Sequence, residues 1–293
     1  MQRYRRVDRE RQVVGGNVGG GAVEAHLSTS ASGKHAFYTL RLLAASARLL
    51  QNRPVRPAIL VLLAAACGPA QARTTVAIDV GHFLEEPGAT SARGRTELEF
   101  NRELALDIES AVLGRGLGAV LIGSDGFMSK LAGRPAAAAG AAFFLSVHHD
   151  SVQPHFLETW EYDGVERPFS DRYAGFSLFV SRKSAFVRSS LACASAIGEA
   201  MRRAGFSPSL YHADPIPGES KPFADRTNGV HYYDNLVVLK TARTPAVLVE
   251  AGVIVNRDEE LKVKSEEVRK RIAAAVAAGL ERCLGRKDTA PAR

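Results

Sequence analysis

One apolar run constrains this chain more than any other feature. Residues 142–147 read AFFLSV, and His148 follows directly. A run with almost no polar alternation belongs to a strand covered on both faces, at the centre of a sheet. Two other segments have the same design. Residues 74–80 read TTVAIDV and stop at Gly81-His82, and residues 246–250 read AVLVE. Residues 118–122 and 176–181 are further strands. Residues 236–240 (LVVLK) are also read as a strand.

Helical patterns separate these runs. Thr96-Glu97-Leu98-Glu99 fits a capping box, with Thr96 as N-cap and Glu99 at N3. Phe100, Leu104, Ile108 and Val112 then recur at helical spacing. An Ala-rich helical stretch runs to about residue 139. Residues 187–204 form an amphipathic helix stopped by Gly205, and residues 257–284 read as one long helix. Strands alternating with helices predict an α/β fold, a single domain with a mostly parallel mixed sheet flanked by helices on both faces. Residues 152–174 and 207–231 are Pro- and Gly-bearing and read as long loops. Trp160 and Tyr162 of the first, and Tyr232 and Tyr233 where the second runs on to residue 235, either stack on sugar rings or pack the loops down.

Charge narrows the partners. The chain has 38 Lys+Arg against 31 Asp+Glu, but residues 1–72 alone hold ten basic and three acidic residues. The remaining 221 residues are therefore neutral, which removes the electrostatic case for nucleic acid. Residues 53–72, RPVRPAILVLLAAACGPAQA, have a short basic region, an apolar run too short to span a bilayer, and an Ala-Gln-Ala cleavage site. This is the layout of a secretory signal peptide. Residues 1–52 then read as a disordered or mis-annotated extension, with translation starting near residue 55. Residues 73–285 are the catalytic domain and 286–293 a tail. The expected location is periplasmic or secreted, with no stable transmembrane segment after cleavage. Anchoring as a lipoprotein through Cys67 is the minor alternative. The absence of a CxxC pair excludes a Cys-based zinc ribbon. Cys193 and Cys283 either pair in an oxidising compartment or remain free thiols.

In open α/β sheets reactive groups gather at the carboxyl ends of strands. His82, His148 and Glu250 all fall there. A catalytic zinc takes three His, Asp or Glu ligands and keeps one position open. His82 and His148 supply two. Glu85, Glu86, Glu97, Glu99 and Asp150 are candidates for the third. Glu97 sits beside the His82 loop, and Glu99 is engaged by its capping box. Glu250 would be the acid/base that takes a proton from the attacking water and gives it to the leaving nitrogen.

At these residues the chain resembles the zinc-dependent N-acetylmuramoyl-L-alanine amidases of bacterial cell walls. Ile78-Asp79-Val80-Gly81-His82 is similar to the family's I-D-P-G-H, and Pro87-Gly88-Ala89 with Gly94 to its P-G-A and G. Glu97 and Asn101 match its E-x-x-x-N, and Ser146-Val147-His148 its S-I-H. Residues 245–252, PAVLVEAG, with Asn256, match its P-A-V-L-V-E-x-G and trailing N. The resemblance implies Zn2+ on His82, Glu97 and His148, with Glu250 as catalytic acid/base. It also implies peptidoglycan as substrate, cut between the lactyl group of N-acetylmuramic acid and L-Ala. An activator protein would be a partner of unknown identity. Val80 replaces the family's Pro and Phe83 a Gly, and His149-Asp150-Ser151 stands where Ala-Asn-Ala is usual. His149, Asp150 and Asn256 are expected to contact substrate. These departures keep another secreted zinc amidohydrolase or peptidase as the alternative function. A non-catalytic wall-binding module would not need Glu250.

Overall fold

The computed structural model describes residues 73–285, so the export signal, Cys67 and the tail lie outside the described residues. The elements, in chain order, are β1 (Thr75–Val80), α1 (Glu97–Gly114), β2 (Gly118–Ile122), α2 (Gly133–Ala137), β3 (Phe143–Asp150), β4 (Glu158–Tyr162) and β5 (Val165–Phe169). They continue with β6 (Ser177–Val180), α3 (Val187–Arg203), β7 (Phe223–Asp225), β8 (Val230–Tyr232) and α4 (Val237–Lys240). β9 (Ala246–Val253), α5 (Arg257–Lys264) and α6 (Glu266–Leu284) complete the domain.

Seven strands form one sheet in the order β2-β1-β3-β9-β6-β8-β7. The β2-β1-β3-β9 half is parallel, and the sheet turns antiparallel at β9-β6. The apolar runs occupy the centre, as their lack of alternation requires. The two faces are covered unequally. Val76, Ile78, Leu145, Val147, Val247 and Val249 face a large core built with α1, α3 and α6. Ala77, Phe144 and Leu248 face a thinner layer that includes Val238 and Leu239 of α4. Because side chains alternate along a strand, Asp79, Ser146, His148 and Glu250 belong to that thinner side.

Four expectations give way. Residues 152–174 are not a plain loop, because β4 and β5 pair as an antiparallel hairpin. Its turn, Asp163-Gly164, takes φ of 55° and 71°, as a two-residue type I′ connection requires. The second loop contains the short strands β7 and β8. Residues 236–240 are not a strand, since α4 is a one-turn helix laid on the sheet. A five-residue apolar run carries no periodicity to separate the two. Residues 257–284 form two helices, because Ser265 adopts ψ 128° and breaks the path. Cys193 on α3 and Cys283 on α6 are joined as a disulfide, with Cα atoms 5.2 Å apart. No helix among the described residues is long and apolar enough to cross a membrane.

Candidate active site

The strand ends bring three of the expected residues together. A nitrogen of His82, a carboxylate oxygen of Glu97 and a nitrogen of His148 lie within 4.8 Å of one another. Glu97 Oε2 is 2.9 Å from His82 Nε2, and Glu97 Oε1 is 3.0 Å from His148 Nδ1. Each histidine therefore aims one ring nitrogen at its own oxygen of a single carboxylate. Burial opposes ionisation of Glu97, but the hydrogen bonds from His148 and His82 outweigh it and hold the carboxyl well below its usual range. His82 is raised above its ordinary value, since Glu97 outweighs the effect of burial. A carboxylate between two imidazoles is the donor chemistry a zinc ion takes, so the cluster fits that metal.

Local structure explains the convergence. Gly81 lies against the His148 ring, and a Cβ there would stand 2.3 Å from it. His82 has φ 70°, a left-handed conformation uncommon for a residue with a side chain. Arg134 fixes that turn. It is fully buried, donates to the carbonyls of Val80 (2.6 Å), His82 (2.5 Å) and Met128 (2.7 Å), and pairs with Asp79 at 2.8 Å. Ser146 Oγ donates to the other Asp79 oxygen at 2.8 Å. The aspartate of the I-D-V-G-H motif is thus the anchor of the loop that carries His82.

Glu97 is oriented from behind. Asn101, one turn along α1, donates Nδ2 to Glu97 Oε1 at 3.1 Å, and Ala89 N–H donates to Oε2 at 3.1 Å. Asn101 Oδ1 faces His149 Nδ1 at 2.8 Å. Burial lowers the His149 pKa to about 3, so the ring is neutral and its Nδ1 must carry the proton it gives to Asn101. The helical i,i+4 spacing of Glu97 and Asn101 was the available sign of this support. Glu99 is occupied as expected, accepting from Thr96 N and Oγ1 at 2.9 Å each.

Glu250 is the register partner of His148 across β3 and β9. Its Oε2 is enclosed and has no hydrogen-bond partner among the described residues. Burial, then the charges of Asp150 and Glu97, push its pKa well up, with Lys221 opposing. An unpartnered carboxyl oxygen is costly in a stable interior and useful where a proton must be held.

The three expected substrate contacts are otherwise engaged. His149 is 2% exposed and packs on Phe100, with no surface to offer a ligand. Adjacent residues of a strand point to opposite faces, so it enters the helix-side core. Asn256 caps α5, accepting from the N–H groups of Asp258 and Glu259. Asp150 binds His212 Nε2 at 2.7 Å, and His212 Nδ1 lies 2.8 Å from Glu219. Burial opposes the charge on His212, yet Asp150 and Glu219 raise it to about 9. This cation, missed in the sequence, bolts the 207–222 segment to the end of β3. The aromatics also pack: Trp160 Nε1 donates to Ala92 O at 2.9 Å, and its ring stacks on Tyr162.

An α/β domain with a His–Glu–His cluster and a buried carboxyl at adjacent strand ends has the layout of a hydrolase. A family model described as N-acetylmuramoyl-L-alanine amidase matches residues 76–282. The chain belongs to this family, and its enzyme class is that of a cell-wall amidase. No curated protein matches it. Among solved structures, Ami1 of Mycobacterium smegmatis is 20% identical, with a TM-score of 0.58 over 74% of this chain and 100% of that one. The catalytic domain of CwlV from Bacillus (Paenibacillus) polymyxa is 26% identical, with a TM-score of 0.55 over 73% and 99%. The Clostridioides difficile amidase CwlD, solved with the GerS lipoprotein, is 18% identical, with a TM-score of 0.54 over 73% and 100%. The first and third are likenesses of fold.

Proposed function

We propose that this amidase is an exported, zinc-dependent enzyme that cuts the amide between the lactyl group of N-acetylmuramic acid and L-Ala in peptidoglycan. Its service would be cell-wall remodelling or daughter-cell separation. The observation that carries the reading is the pairing of a three-donor cluster with an unpartnered Glu250 oxygen on the neighbouring strand.

His82, Glu97 and His148 would hold the metal. Zinc, when bound, lowers the pKa of water and polarises a carbonyl. Ala89 N–H and Asn101 keep their bonds to Glu97 and hold its two oxygens in place. Glu250 takes the proton of the attacking water on Oε2 and returns it to the leaving nitrogen. Its enclosure keeps bulk water from competing for that proton. The Cys193–Cys283 disulfide agrees with an oxidising compartment, as does the signal-like segment at 53–72. An activator partner remains a proposal, and the CwlD–GerS complex is a precedent in that protein alone.

Digestion of purified sacculi tests this reading. Stem peptides should be released, leaving muramic acid without peptide, and a chelator should stop the reaction. Glu250→Gln should retain one zinc and lose turnover by roughly a hundredfold or more. Normal cleavage by that variant would end the proposed proton role. Products cut at another amide would favour the alternative hydrolase.

A further inference from the structure

Beside His82 and His148, on the thinly covered face of the sheet, lies a cavity of about 220 Å³. Its walls are Phe83, Leu131, Leu236, Val237, Val238 and Leu248. Leu131 is 52% exposed at its rim, while Val238 and Leu248 are buried. The charged side chains that line it are the buried pair Asp79 and Arg134, 2.8 Å apart, and Glu86, which is exposed to solvent. The pit therefore offers apolar surface and no spare buried charge. Leu248 precedes Glu250 by two residues on the same strand, so the pit shares a face with the acid/base. Phe83 and the helix α4 build much of the wall.

We propose that this cavity is a specificity pocket for the alkyl substituent next to the scissile amide. This rests on the amidase reading above. Both carbons flanking that amide carry a methyl group, one from the lactyl ether and one from L-Ala. The pocket has room for more than a methyl: apolar cavities of about 150 Å³ hold a benzene-sized guest. A larger alkyl group should therefore be accepted, and a carboxylate rejected because its burial would be uncompensated.

The test uses the zinc-loaded full chain and synthetic muramoyl peptides. In one arm L-Ala is replaced by Gly, L-Val or L-Asp; in the other the lactyl group is replaced by glycolyl. Removing the methyl that enters the pocket should lower kcat/KM about tenfold, the discrimination a hydrophobic site gives for one such group. L-Val should be cleaved within a fewfold of L-Ala, and L-Asp at least a hundredfold more slowly, if the amino-acid side enters. In Val237→Asp the methyl preference should collapse to under twofold in the arm that uses the pocket. Val237→Leu should preserve it. Zinc content and circular dichroism confirm that each variant is folded and loaded. A methyl preference unchanged in both arms by Val237→Asp overturns the pocket, even with the amidase reading intact. Failure of wild-type enzyme to cleave the L-Ala substrate instead overturns the amidase reading.

Discussion

Arg134 offers the sharpest test of how the fold holds its site. Among the described residues it is the largest fully buried side chain, and it donates to Asp79 and to three carbonyls, one of them that of His82. Arg134→Met removes the cation and leaves Asp79 with Ser146 as its remaining side-chain partner. Breaking one half of a buried pair costs about 3–5 kcal/mol, against a typical domain stability of about 5–15 kcal/mol. A second effect is local. The left-handed backbone of His82 costs about 1–3 kcal/mol, and the Arg134 bond to its carbonyl is what sustains it. Without that bond the ring should swing from Glu97, and zinc affinity should fall about 10–100-fold. Urea unfolding reads the first effect and chelator competition the second. Adding Asp79→Leu to the Arg134 variant removes the unpaired charge and should restore part of the stability. It should not restore zinc affinity, because the His82 carbonyl still lacks its donor. The reasoning fails if Arg134→Met binds zinc as tightly as the wild type, or if it loses less than about 1 kcal/mol.

Asn101→Leu should leave the fold standing and weaken zinc by about tenfold or more, through loss of the bond that orients Glu97; unchanged affinity in a chelator titration would remove Asn101 from the site. His212 has a folded pKa of about 9, above its unfolded value. Its stabilisation is therefore complete below about pH 6.5 and lost as pH rises through about 9. Urea midpoints measured from pH 6 to pH 10 should fall across that window in the wild type, and the His212 share of the fall should vanish in His212→Asn. Reduction of Cys193–Cys283, which spans 90 residues, should cost about 2–4 kcal/mol; an unchanged thermal midpoint under reductant would contradict it.

Three residues of the candidate site were legible because they sit at the ends of runs whose period is unmistakable. His82, His148 and Glu250 each follow or close an apolar strand, and parallel strands deliver their ends to one edge. Glu97 was singled out among five carboxylates only with the family resemblance, since the capping box set aside Glu99 alone. The short elements were harder. The Asp163-Gly164 turn was written in the sequence, but its flanking strands are short and mostly exposed, and their polar residues hide the aromatic face of Trp160, Tyr162 and Phe169. The run at 236–240 is too short to show a period.

Sequence by itself therefore determined the α/β class and the central strands, which depend on local pattern, and it pointed to the candidate site through strand ends and, for Glu97, through the family resemblance. Only the tertiary structure decided what stands behind them. His149 and Asn256 left the expected substrate wall because strand alternation and a helix cap claimed them. Asp79 became the anchor of the His82 loop because Arg134, 55 residues away along the chain, is buried against it. His212 acquired its charge because folding set it between Asp150 and Glu219. Such partners are chosen by contact across the fold, where burial makes an unpaired charge too costly to leave alone.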